Sequence, residues 1–145
     1  MPATLQNILL KIKTDSTVVE LQGLSGSSKA LVVSMLSQIP EQPAEKIKPL
    51  VVVCESFDVA EVLLNDLYYF FGKEGVHFFP FWDVLPFDNF SPHKGLVAQR
   101  FQTLDALLNS EVRVLITTPN GMMQRFLPRV AFQKNTLSLS IDFVG

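Results

Sequence analysis

The residues with the most recognisable chemical arrangement in this sequence are Gly23-Leu24-Ser25-Gly26-Ser27-Ser28-Lys29-Ala30. They lie between a strand-like run at 17–22 (TVVELQ) and a helix-like run at 30–39, where a phosphate-binding loop belongs. In a working loop of this kind, backbone N–H groups wrap the phosphates and the helix N-terminus adds partial positive charge. A lysine reaches the terminal phosphates, and the next Ser or Thr holds Mg²⁺. Against the pattern G-x-x-x-x-G-K-[ST], Gly23 and Lys29 match, with Gly26 between them, whereas Ser28 replaces the second glycine and Ala30 the magnesium-binding hydroxyl. A Cβ at Ser28 is expected to crowd the turn, and Ala30 cannot ligate a metal, which removes charge stabilisation from any phosphoryl transfer. The plain alternative is a flexible strand-to-helix turn in which Lys29 is an ordinary exposed helix residue.

Hydrolysis also needs an acidic pair at the end of a later strand. The run at 112–117 ends in Thr117-Thr118-Pro119-Asn120, without an acid, and Glu55 stands alone after the run at 50–54, as a solvated strand end does. Catalytic residues are therefore not expected.

A second conspicuous segment is 78–93 (FFPFWDVLPFDNFSPH), with three prolines and six aromatic residues. It is too proline-rich for a helix or central strand and reads as a long, partly packed loop. Its rings invite base stacking, but the nearest cations are only Lys94 and Arg100, so packing of Phe79, Trp82, Leu85 and Phe87 against one edge of the core is favoured over nucleic-acid binding. Asp83, Asp88 and His93 match no metal-ligand spacing. His93, after Ser-Pro, reads as a hydrogen-bonding residue at a helix start, His77 as packed or edge-exposed, and Cys54 as a small buried hydrophobe.

The elements that must position these residues alternate. Leu5, Ile8, Leu9 and Ile12 mark a first amphipathic helix. After the strand at 17–22, the helix at 30–39 carries Leu31, Met35 and Leu36 on one face and ends at Pro40 and Pro43. The continuous apolar run at 50–54 (LVVVC) predicts a strand buried on both faces. A helix at 58–71 stops at Gly72, a strand follows at 76–79, and Ser91-Pro92 opens a helix to about Asn109. A strand at 112–117 leads to a short helix at 119–126, closed by Pro128. The prediction is an α/β fold: a three-layer, open, mainly parallel sheet with helices on both faces and right-handed crossovers.

Composition bounds the class. With 145 residues, 48% hydrophobic and 18% charged, the chain has material for one domain core. A net charge of −2 argues against a broad nucleic-acid footprint. The single cysteine excludes an internal disulfide and a thiolate-rich zinc site. Neither a signal peptide nor a membrane-length apolar run is present, so a cytoplasmic protein without membrane association is expected. Residues 136–144 (TLSLSIDFV) alternate in polarity up to Gly145, which predicts a new half-wet strand and a chain that is the front part of a longer protein.

Three segments together resemble a known family: ELQGLSGSSKAL (20–31), FPFWDVLPFDNFSPHKGLVAQR (79–100) and VRVLITTPNGMMQR (112–125). Their order and spacing are similar to the N-terminal region of bacterial transcription-repair coupling factors (Mfd). The middle segment carries most of the likeness, through Trp82-Asp83, Leu85-Pro86-Phe87-Asp88 and Phe90-Ser91-Pro92-His93, and the third adds Met123-Gln124-Arg125. The resemblance implies a lobe similar to the first domain of the repair helicase subunit UvrB, with a RecA/P-loop NTPase-like helicase fold whose nucleotide site is degenerate. It implies residues 1–135 as that lobe and 136–145 as the start of an inserted UvrA-binding domain. Trp82, Asp88, His93, Arg100, Gln124 and Arg125 become family-motif surface candidates. UvrA and the rest of the parent chain are the implied partners, with RNA polymerase, DNA and an ATP- and Mg-dependent motor engaged through regions outside this chain. No cofactor is expected here, since the loop of Gly23, Gly26, Ser28, Lys29 and Ala30 departs from the working pattern. The implied role is a non-hydrolysing module that scaffolds UvrA recruitment and restrains the parent. A functional nucleotide-binding helicase lobe and a single-strand binding module are the alternatives.

Overall fold

The computed structural model describes residues 18–38, 48–84 and 91–136. The predicted helix around Leu5–Ile12, the prolines at 40 and 43, Asp88 with the middle of the aromatic segment, and the predicted strand beyond Thr136 lie outside them. The described elements are α1 (Ser28–Gln38), β1 (Leu50–Val53), α2 (Phe57–Phe71), β2 (Val76–Phe79), α3 (Lys94–Leu108), β3 (Val114–Thr117), α4 (Pro119–Met123) and α5 (Arg129–Asn135).

The three strands form a parallel sheet in the order β1-β3-β2. Parallel neighbours need crossovers, and the helices α2 and α3 supply them. The register sets Leu50, Val114 and Val76 side by side, then Val52, Ile116 and Phe78. Val76, Phe78, Val114 and Ile116 join Ala60, Leu63 and Leu67 of α2 and Ala30 of α1 in one buried cluster. Alternation places Val51, Val53, His77, Phe79, Leu115 and Thr117 on the opposite face, where Phe79 meets Arg100 of α3.

Local sequence explains the element ends. The Ser56 side chain accepts the Val59 N–H at the start of α2. Gly72 ends that helix at φ 73°, with its N–H donating to Tyr68 O. Thr118 caps α4 by accepting from Gly121 N, and Pro119 occupies the first turn.

Four expectations are corrected. Residues 18–22 form no strand: Val18 is fully exposed, and β-prone residues without a neighbouring strand to pair with stay irregular. Strand β1 is not buried on both faces, since Val51 and Val53 are 47% and 49% exposed on the face that the described residues cover beside β2 and β3 but not beside β1. In α1 the inward positions are Ala30 and Ser34, with Leu31 exposed, because small residues allow closer approach to the core. The cap of α3 is His93 rather than Ser91, and the segment after Pro128 adds a helix, α5, that apolar periodicity did not reveal.

Candidate functional site

Gly23 (φ 78°) and Gly26 (φ 53°) supply the left-handed backbone that lets the chain turn into α1. Ser28 follows this turn. It lies at the first position of α1, where its N–H donates to Ser25 O at 3.2 Å and its hydroxyl to the same oxygen at 2.6 Å. The loop therefore closes on itself, and the Ser28 amide is already engaged. Ala30 is fully buried in the core cluster beside Cys54, so the position that would hold a metal-binding hydroxyl faces apolar packing. Lys29 is exposed, yet its charge reaches Cys54 at the end of β1. Burial pushes the Cys54 thiol up, Lys29 opposes this, and exposed Glu55 adds to it. The helix N-terminus thus sits at the carboxyl end of the sheet, where open α/β folds bind ligands.

The aromatic segment and α3 build a second constellation. Arg100 is a surface candidate by motif, but it is 1% exposed. The reason is packing: its guanidinium carbon lies 4.1 Å from the Phe79 ring centre and 4.5 Å from that of Trp82. Nη1 donates to Pro80 O and, at 3.4 Å, to Gln124 Oε1. Nη2 finds no partner among the described residues. Burial pulls the Arg100 pKa below its ordinary value.

Gln124 ties this cluster together. Its Oε1 accepts Trp82 N–H at 2.6 Å, and its amide nitrogen donates to Trp82 O at 3.4 Å. One side-chain amide thus satisfies both backbone groups of Trp82, as a neighbouring strand would. Below, Thr103 and Thr117 hydroxyls donate to Phe78 O (3.2 Å) and Phe79 O (2.9 Å), fixing the strand end beneath the cluster.

The structure brings Trp82, Arg100 and Gln124 together. His93 stands apart and exposed: its Nδ1 accepts Gly95 N–H, as a helix-start residue does, while its own N–H donates to Asp83 Oδ1 at 3.3 Å. Arg125 is exposed and borders two cavities. One, of about 820 Å³, lies between Trp82, Asp83, Pro92, Asn120 and Met123. The other, of about 320 Å³, is walled by Trp82, Arg100, Phe101, Leu104, Phe126 and Leu127. Sequence reasoning missed Phe126 and the two threonines. The spacing of Arg100, Thr103 and Ala106, one helix face, was the available sign that Arg100 points inward. No group of His, Cys, Asp and Glu suited to a metal occurs among the described residues, and no described helix is long and apolar enough to cross a membrane.

Comparison with known proteins gives a consistent picture. No family model matches the chain. The transcription-repair-coupling factor of Escherichia coli is 31% identical over 106 residues, which are 72% of this chain and 8% of that protein. That of Rickettsia prowazekii is 31% identical over 78 residues, 53% of this chain and 7% of the relative. For the Haemophilus influenzae protein the figures are 33% over 66 residues, 46% and 6%. The matched stretches thus span 6–8% of these relatives' lengths. By these similarities the chain is related to one small region of the transcription-repair-coupling factors.

Proposed function

We propose that this chain is the N-terminal, UvrB-like lobe of a transcription-repair coupling factor, a non-hydrolysing module that scaffolds UvrA recruitment and helps restrain its parent. The observation that carries the non-hydrolysing reading is the state of the loop. Ser28 N–H is spent on Ser25 O, and the residue at the metal-ligand position, Ala30, is fully buried. A loop with an engaged amide and no hydroxyl ligand lacks two of the parts that phosphoryl transfer uses. The three-stranded parallel sheet is compatible with a degenerate RecA-like lobe. UvrA would be held mainly by an inserted domain beginning near Thr136, and ATP and Mg²⁺ would serve a motor in a distant C-terminal part. RNA polymerase and DNA would be met through other regions of the parent.

The test is Lys29→Ala in the full-length parent. ATP turnover and UvrA capture should both stay within about twofold of the unmodified protein, because a loop that transfers no phosphoryl group offers Lys29 no transition-state charge to stabilise. Because the distant motor would continue to turn over, any reproducible loss of turnover beyond about twofold would mean that the loop is a working site.

A further inference from the structure

Arg100 is buried with no counter-charge among the described residues, and this marks a second site. Arg100 is 1% exposed, Nη1 is engaged with two oxygens, and Nη2 is buried with no acceptor among the described residues. A buried charge without a counter-charge is costly, and the two ring faces beside it return only part of what water would provide. Arg100 also forms part of the wall of the 320 Å³ cavity, whose other walls are mostly apolar: Trp82, Phe101, Leu104 and Leu127. Arg125, exposed, stands at the same cavity as a second cation.

We propose that this cavity binds the carboxylate of an acidic side chain carried by an apolar segment of a protein partner, with Nη2 of Arg100 as its buried donor and Arg125 as its outer one. The planar fork of a guanidinium suits a carboxylate. The apolar walls favour an acid flanked by aliphatic or aromatic groups over a fully hydrated phosphate, and the chain's net charge of −2 provides no wide positive field for a polyanion. Nη2 is covered by its neighbours, so entry displaces a wall side chain. Phe126, 59% exposed, has the least burial to lose of the aromatic walls.

Titration of the 145-residue chain with three probes, followed through the Trp82 indole and arginine side-chain NMR signals, tests this. The probes are acetyl-Leu-Glu-Leu-amide, its Gln counterpart and inorganic phosphate. The glutamate peptide should give saturable shifts at Trp82 and bind roughly tenfold more tightly than the glutamine peptide, the increment expected of a charge-assisted hydrogen bond. Leu104→Trp, which fills the cavity, should abolish the shifts, and Arg125→Gln should weaken binding by a few-fold, as a partly exposed ion pair does. Equal binding of the two peptides, no saturation with the glutamate peptide, unchanged binding in Leu104→Trp, or binding of phosphate alone would overturn the proposal.

Discussion

Arg100 concentrates several contributions in one side chain: ring contacts to Phe79 and Trp82, and hydrogen bonds to Pro80 O and Gln124. Arg100→Ala leaves a cavity and an unpaired buried carbonyl, and should destabilise the fold by about 2–4 kcal/mol in denaturant unfolding. Arg100→Lys should restore little of this, because a compact ammonium cannot lie over two rings and reach both acceptors. His77 sets a pH dependence. Burial holds its pKa below the ordinary 6.5, with Glu111 partly opposing. The unfolded chain therefore takes up the proton first as pH falls. Stability should be unaffected by this group well above pH 6.5, should drop as pH falls below it, and should level off below the folded pKa. Unfolding midpoints measured between pH 7.5 and 5.5 check this, and His77→Gln should flatten the slope.

Among the elements, α4 shows how closely the fold is packed behind the Arg100 cluster. Gly121 is buried, and a Cβ there would lie 2.5 Å from Thr117 Oγ1 and 3.0 Å from Phe79 O. Gly121→Ala should therefore cost about 1–3 kcal/mol of stability by overpacking, despite alanine's better helix propensity, measured by thermal or denaturant unfolding. Much of this layer was legible in advance. The runs at 50–54, 76–79 and 112–117 announced the three strands, and Gly72 and Pro119 announced helix boundaries. Pairing was not legible: residues 18–22 have strand composition but no described partner strand, and β1 has strand composition on both faces but cover on only one. The role of Gln124 was hidden for the same reason. Its partner, the Trp82 backbone, is 42 residues away, and nothing local in the sequence points to it. The phosphate-loop pattern was visible, whereas the turn that Ser28 closes onto Ser25 was not.

For the molecule as a whole, two features stand on one small sheet: the loop before α1 and the cluster around Arg100. At the N-terminus of α1, the Ser28 amide closes the loop onto Ser25 O and Ala30 is buried in the core cluster. On the other side of the sheet, Phe79 and Trp82 pack against the buried guanidinium of Arg100. Since Arg100 is buried, it is not presented to nucleic-acid phosphates, which removes one of the two cations nearest those rings in the sequence from the single-strand binding alternative. The most direct test of the central claim is calorimetric titration of the 145-residue chain with ATP and Mg²⁺, with phosphate release followed in parallel. The account predicts no saturable heat at physiological nucleotide concentrations and no release above the uncatalysed rate. Saturable binding with turnover that is lost in Lys29→Ala would contradict it.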